Sequence, residues 1–174
     1  MSSKLNETNS LVKYTGYVND FMTLQGYVTL KDSDPKPAPE FIPEEIAAAF
    51  LEATTCVSVR CWNAAGAMFR SAIDLATKSL LPSDGEPAIR VRRSLGLRLE
   101  WLFDNGRLPA DLRQLADAVQ QDGNDGVHDA SLTEHDALDL LDFTYELLER
   151  IYTEPGKIEA AKKRREARRD QARG

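Results

Sequence analysis

The spacing of apolar residues changes near Pro43, and this change predicts two kinds of structure. From Leu11 to Leu30 β-branched and aromatic residues crowd together, broken by Gly16 and Gly26, a pattern typical of short strands or a hairpin. Beyond Pro43 apolar residues recur every three or four positions, as on one face of a helix. The pattern predicts a mainly α fold: a bundle of about five helices, preceded by a short β-hairpin-like segment and followed by a basic C-terminal helix.

The same pattern divides the chain into four segments. Residues 1–10 are polar and have no periodic apolar face, so we expect a disordered arm. Residues 11–42 contain the short strands and then a proline-rich, extended connector. Residues 43–154 form the helical domain, and residues 155–174 form a basic extension. The length of 174 residues supports one hydrophobic core.

Capping residues predict where the helices begin and end. Pro43 followed by two glutamates suits a first helical turn, and Asn63 is the expected N-cap of the second helix. The third helix should stop at Asn105–Gly106, and the fourth should run from Pro109 to Asp122–Gly123. The residues expected to face the core in these four helices are Ile46, Phe50, Ala53 and Val57; Ala65, Phe69, Ala72, Ile73, Ala76 and Leu80; Leu95, Leu99, Leu102 and Phe103; and Leu112, Leu115, Ala116 and Val119. The small residues of the second helix should let a neighbour approach closely.

The last helix of the bundle is the most apolar. Ser131 and Glu134 fit a capping box at its start, and His135 should be a surface residue of its first turn. Pro155–Gly156 should end it, with the basic run beyond as a sixth helix or a frayed extension. The apolar residues expected along it are Ala137, Leu138, Leu140, Leu141, Thr144, Leu147, Leu148 and Ile151.

The net charge of −6 conceals two unlike regions. Residues 157–173 contain eight Lys or Arg and three Asp or Glu, a balance of +5, so the rest of the chain carries −11. No apolar stretch is long enough to span a membrane, and we expect a cytoplasmic protein. Cys56 and Cys61 are expected to be ordinary buried thiols, because the chain has too few Cys and His for a metal site. We therefore expect neither a metal nor another cofactor.

The densest cluster of chemically active side chains is the loop DGNDGVHD, residues 122–129. The glycines and Asn124 could simply turn and cap the chain between two helices. Alternatively, Asn124 and His128 could project into a cleft, with His128 as general acid or base and Asn124 as a neutral donor to a phosphate, and Asp125 is a further candidate for binding. The spacing alone leaves both interpretations open.

Arg70 and Asp74 stand four residues apart on the second helix. This spacing suits a surface ion pair worth a few tenths of a kcal/mol. It also suits a binding role, in which Arg70 anchors the loop 122–129 or a bound anion.

The C-terminal run has high helix propensity but little apolar surface. It is either a solvated helical extension or a contact for RNA, DNA or an acidic partner, because clustered cations displace the counterions of phosphates. It contains no aromatic residue, so base stacking is not expected. The contact residues would be Lys162, Lys163, Arg164, Arg165, Arg168 and Arg169.

Two blocks of the sequence resemble a known family. They read FIPEEIAAAFLEATTCVSVRCWNAAGAMFRSAIDLATKSL and LADAVQQDGNDGVHDASLTEHDALDLLDFTYELLERIY. The "EA" and "AA…R…L" steps of the first, and the "GN…H" loop and "LLDFT" run of the second, resemble domain of unknown function 4145 over about residues 41–153. That family is thought to be similar to the HEPN superfamily of small helical bundles. The resemblance implies a homodimer or a protein partner, and a setting in phage defence or nucleic-acid processing.

The resemblance also assigns roles. His128 matches the loop histidine of the family, Asn124 its loop asparagine and Arg70 the arginine of its second helix. Relatives often place an arginine before the loop, where this chain has Gln120 and Gln121. Loss of one donor to a developing charge lowers a rate by roughly a hundred- to a thousandfold. The first hypothesis is therefore a non-enzymatic interaction module, and the second is a metal-independent ribonuclease that uses His128.

Overall fold

A computed structural model describes residues 34–116 and 132–172 of the chain. Helices make up 75% of these residues, and neither described range contains a strand, so the mainly α prediction is confirmed. The expected arm, the short strands of residues 11–30 and the loop 122–129 lie outside the described residues, as does the predicted end of the fourth helix. The described part of the connector, residues 34–43, has no helix and no strand.

The first two helices form the most extensive helix contact of the described bundle. Helix α1 (Glu44–Ser58) begins directly after Pro43, as predicted, with two carboxylates in its first turn. Helix α2 (Trp62–Ser79) carries the predicted small apolar face into the core. Phe50 of α1 meets Phe69 of α2 edge to face, with ring centroids 5.9 Å apart. Both rings are fully buried.

The predicted N-cap of α2 is wrong. The helix begins at Trp62, and the carbonyl of Cys61 accepts the first helical bond, from the Ala65 amide. Asn63 is thus already inside the first turn. Its Oδ1 accepts instead from the backbone N–H of Leu132, at 2.7 Å. The side-chain oxygen of Asn63 therefore does not cap the helix but joins two segments that are far apart in sequence.

The middle of the chain confirms most of the predicted core. Helix α3 (Ile89–Arg93) leads into helix α4 (Leu95–Asp104), which ends at Asn105 with Gly106 at φ +62, as the Asn-Gly pair predicted. After Pro109 the chain makes a 3-10 turn at Ala110–Leu112 and continues helically over residues 113–116. Leu112 and Ala116 are buried, but Leu115 is 40% exposed, contrary to prediction. A 3-10 turn advances about 120° per residue, so it rotates the following face away from an uninterrupted α pattern.

Helix α5 (Glu134–Leu148) starts two residues later than a Ser131 cap would place it. Its capping box is formed by Thr133 and Asp136: Thr133 Oγ1 accepts from the Asp136 amide at 3.3 Å, and Asp136 Oδ2 accepts from the Thr133 amide at 2.8 Å. The N-cap Thr133 is extended, at φ −82 and ψ 172, and the Leu132 amide before it is bound to Asn63. His135 is exposed in the first turn, as predicted.

Pro155–Gly156 does not end the last helix of the bundle. Helix α5 passes into a π-turn (Glu149–Thr153) and then into helix α6 (Glu154–Gln171), so the chain is helical from residue 134 to residue 171. Proline has no N–H to donate and would clash within a regular α-helix, but it is tolerated in a first turn. The π-turn restarts the α-helical ladder so that Pro155 falls in that position.

A turn at residues 40–41 packs against this junction. The hydroxyl of Thr153 donates to the Glu40 carbonyl at 2.7 Å. Phe41, at φ +64, lies over Gly156 so closely that a Cβ there would come within 2.5 Å of the Phe41 ring. Gly156 therefore provides space for a ring, where the sequence suggested a helix end.

Candidate functional site

The predicted site residues fall into two described groups and one that is not described. Arg70 and Asp74 lie on α2, and the basic residues of the tail lie on α6. Asn124, Asp125 and His128 lie outside the described residues, as do Gln120 and Gln121. The structure therefore describes Arg70, Asp74 and the cations of the tail, whereas the predictions for the loop 122–129 lie outside the described residues.

A stripe of polar and small residues runs along one face of α2. Its members recur every three or four positions and comprise Asn63, Gly66, Arg70, Asp74 and Thr77. Helical geometry places residues at this spacing above one another. We call this set the α2 stripe; each of its ends is engaged by a different part of the fold.

The first end of the α2 stripe holds the segment that enters α5. The Asn63 side chain accepts the Leu132 N–H, and a Cβ on Gly66 would overlap the Leu132 side chain. The expectation that a small residue on this helix allows close approach is confirmed at Gly66. Because Leu132 directly follows residues 117–131, the α2 stripe fixes where that stretch of chain rejoins the bundle.

The second end of the α2 stripe binds a fully buried arginine. Arg98 of α4 is 0% exposed, donates from Nε to Thr77 Oγ1 at 3.0 Å and forms an ion pair with Asp74. Its Nη1 donates to the Arg92 carbonyl. Lys78, four residues after Asp74, makes a second ion pair with the same carboxylate at 2.6 Å. Arg98 and Lys78 thus both pair with Asp74, whereas the spacing in the sequence suggested Arg70.

The pKa of Asp74 lies below its ordinary value as a net result of opposing effects. Partial burial of the carboxyl is the largest single effect and raises the pKa. Hydrogen bonds from Lys78 and Arg98 lower it, and the positive charges of both residues add to that lowering. The carboxylate form is therefore the one that the folded protein stabilises.

Arg98 was missed by the sequence analysis, although the sequence contains an indication of its role. It lies three residues after Leu95 and four before Leu102, within the predicted apolar face of α4. A charged residue at such a position is either a break in the pattern or a buried group with partners. The partners themselves, Asp74 and Thr77, are distant in sequence and become visible only in the fold.

A second arginine orders the connection between α2 and α3. Arg92 donates from Nε to the Pro87 carbonyl at 3.0 Å and from Nη2 to the Pro82 carbonyl at 2.8 Å. Nη2 also lies 3.3 Å from the carbonyl oxygens of Gly85 and Glu86. Because the Arg92 carbonyl accepts from Arg98, this connection is linked to the ion pair on α2.

Arg70 lies between the two ends of the α2 stripe. It is half-buried, and its Nε is shielded from solvent. Gly66 and Asp74 stand four residues to either side of it, on the same face. The binding role that the sequence suggests for Arg70 stays a prediction.

Helix α6 contributes no buried residue to the bundle. At about 100° per residue, six of its cations fall within an arc of about 160°. We call this set the basic face; it comprises Lys157, Lys162, Arg164, Arg165, Arg168 and Arg169. Glu159, Glu166 and Asp170 fall together on the opposite side, and Lys163 lies beside them. The tail is therefore a two-sided helix with cations segregated from most of its carboxylates.

Most of the basic face has no anionic partner among the described residues. Lys157 reaches Glu40 at 3.7 Å and Lys162 reaches Glu159 at 3.9 Å, both between exposed side chains. Within residues 34–116 and 132–172, none of the four arginines of the basic face makes an ion pair. Four permanent positive charges thus face solvent within two turns of helix.

A cleft of about 380 Å³ opens where α1 ends and α5 begins. Trp62, Val57 and Leu141 supply its apolar wall, and Arg60 and Glu134 are among its charged lining residues. None of its lining residues is a predicted site residue.

The thiols fit the sequence prediction in part. Cys56 and Cys61 are free, and Cys56 is half-buried, but Cys61 is exposed rather than buried. Burial raises the pKa of the Cys56 thiol, and the neighbouring Cys61 and Glu52 raise it further. The Cys56 thiol is therefore a weak nucleophile at neutral pH.

In the described ranges no three His, Cys, Asp or Glu side chains are grouped so as to hold a metal ion. Among the same residues no helix is both long and apolar enough to cross a membrane.

A protein-family model matches most of the chain. The model described as domain of unknown function (DUF4145) matches residues 51–167, from the middle of α1 into α6. No curated protein and no solved structure matches the chain significantly. The matched range is about two thirds of the 174 residues and includes the first part of the basic face.

Proposed function

This chain belongs to the DUF4145 family, and we propose that it acts there as a non-enzymatic interaction module that docks on a partner through α6. The observation that carries the proposal is that α6, a helix of 18 residues, buries none of them. A HEPN-like identity, dimerisation, and a setting in phage defence or nucleic-acid processing belong to the same proposal and rest on the resemblance.

The way α6 is held supports a docking role. An isolated helix of this length with a polar surface is marginally stable in water, because helix nucleation is unfavourable. Helix α5 buries seven residues in the bundle and runs through the π-turn into α6, so nucleation has already occurred. The bundle thereby stabilises a helix that contributes no buried residue to the core.

The distribution of exposed apolar residues favours α6 over an apolar face of the bundle. The large apolar residues exposed in the described ranges each lie on a different element: Phe41, Leu51, Ile89, Leu115, Leu138 and Ile158. Single exposed apolar residues are normal on a protein surface, whereas interaction sites of the apolar type form contiguous patches.

Site-specific photo-crosslinking in cells tests the docking role. A diazirine amino acid at Ala161, which lies within the arc of the basic face, should give a discrete adduct on illumination. The same amino acid at Glu52, an exposed position on α1, is the matched control. Nuclease and protease treatment then identify the class of the adduct. Equal labelling at both positions, or none at Ala161, would refute docking through α6.

A nuclease assay separates the proposal from the ribonuclease hypothesis. Purified protein and a His128→Ala variant should leave single-stranded and structured RNA equally intact from pH 5 to 8. Cleavage by the wild-type protein that the variant lacks would establish the enzyme instead, with His128 as general acid or base.

A further inference from the structure

Four observations on α6 identify a class of partner for the docking helix. The first is charge that is not neutralised within the described protein: the four arginines of the basic face have no ion pair there. Guanidinium groups bind phosphate oxygens through parallel hydrogen bonds and stay charged at all physiological pH values. Each arginine that binds a phosphate also releases condensed counterions, so such a face gains affinity from its charge.

The second observation is the arrangement of that charge. The cations of the basic face extend from residue 157 to residue 169, about 18 Å along the helix. Glu159, Glu166 and Asp170 lie on the other side, where they do not oppose a polyanion held on the basic face. The strongly acidic remainder of the chain, at −11, would repel a polyanion, but the four arginines of the basic face are exposed on a helix with no buried residue.

The third observation excludes an ordinary protein interface. Beyond Ile158 the apolar residues of α6 are all alanines. Protein interfaces draw their binding energy from buried aromatic or large aliphatic anchors, whereas protein–DNA interfaces are more polar and strongly positive. The basic face has the second character.

The fourth observation selects a duplex over a single strand. Helix α6 has no aromatic residue on which an unpaired base could stack. An α-helix with its side chains is about 10–12 Å wide and fits the major groove of B-form DNA, which is about 12 Å wide. The major groove of duplex RNA is too narrow for side chains to enter.

We propose that the basic face of α6 binds duplex DNA, with α6 lying along the major groove and its arginines on the flanking phosphates. This inference rests on the proposed role of α6 as the docking helix and names its partner. Because the arginines bind phosphates, which are the same in every sequence, the binding is independent of sequence and strongly dependent on salt.

Fluorescence anisotropy with a labelled duplex of 25 base pairs and arbitrary sequence tests the proposal, using the full-length protein. A variant with Arg164, Arg165, Arg168 and Arg169 changed to Gln should bind at least about tenfold more weakly at 100 mM salt. The slope of log K against log[salt] should fall by about 3 to 4, since each phosphate contact contributes about 0.9. A matched variant, Glu159→Gln with Glu166→Gln and Asp170→Asn, should bind at least as tightly as the wild type.

Three further ligands test whether the binding is specific for duplex DNA. The same strand without its complement, a duplex RNA of equal length and poly-glutamate should all bind more weakly than duplex DNA. Circular dichroism should show that the variants keep their helix content, since α6 buries nothing. If the four-Gln variant binds duplex DNA like the wild type, or if poly-glutamate binds as tightly, the inference is wrong. In that case a protein adduct at Ala161 would still support docking through α6, whereas no adduct would refute both.

Discussion

Arg98 and Asp74 form a buried ion pair that joins α4 to α2. The guanidinium has no exposed surface, and the side chain of Asp74 is 31% exposed. Thr77 and the Arg92 carbonyl accept further hydrogen bonds from the same guanidinium. An arginine can be buried in this core only because these acceptors replace the water that it gives up.

Replacing Arg98 with Met should destabilise the protein by about 2–4 kcal/mol, because Asp74 and Thr77 would lose a buried donor. Urea unfolding measures the change. Lys78→Met removes the other cation from the same carboxylate and is the control; this exposed pair should be worth less than about 0.5 kcal/mol. Equal losses from the two substitutions would contradict a special role for the buried arginine.

The lowered pKa of Asp74 predicts a pH-dependent contribution to stability. The folded-state pKa lies below the ordinary value of 3.8, so the stabilisation is fully present above that value and is lost as pH falls through the folded-state pKa. The stability difference between wild type and Asp74→Asn should therefore be constant near neutral pH and should shrink under acid conditions. Urea midpoints from pH 7 to pH 3 measure it. A difference that grows toward acid pH would mean that folding raises the pKa of Asp74 rather than lowering it.

The capping box of α5 predicts that Thr133 contributes more to stability than its neighbour Glu134. Thr133→Ala removes the hydroxyl that accepts from the Asp136 amide and should cost about 1 kcal/mol. Glu134→Gln changes the residue that the sequence pattern placed in the box, and only its exposed interaction with the helix dipole, a few tenths of a kcal/mol, should be lost. The ratio of the two effects, measured by thermal or urea unfolding, decides between the two positions for the helix start.

Gly156 and Phe41 should be coupled. Gly156→Ala alone should destabilise by about 1–2 kcal/mol, because its Cβ would meet the Phe41 ring. Phe41→Gly removes both the ring and the side chain that is held at positive φ. In that background Gly156→Ala should instead stabilise by up to about 1 kcal/mol, as expected for alanine in a helix. The same sign in both backgrounds would show that Phe41 is not the cause.

The spacing of apolar residues by itself determined that this protein is mainly helical and which faces of most helices are buried. Ile46, Phe50 and Phe69 are buried where that pattern put them, because the 3.6-residue period is a property of each helix alone. The positive charge of α6 likewise follows from the residues of that segment alone.

Contacts between distant parts of the chain decided the rest. Asn63 lies inside a helix and binds Leu132. Arg98 is buried in the core because Asp74 and Thr77 accept its hydrogen bonds. The helix continues past Pro155 because a π-turn restarts its hydrogen-bond ladder. Each of these residues has several local conformations or partners of similar energy. The fold chooses among them according to which donors, acceptors and spaces it brings together, and no local pattern contains that information.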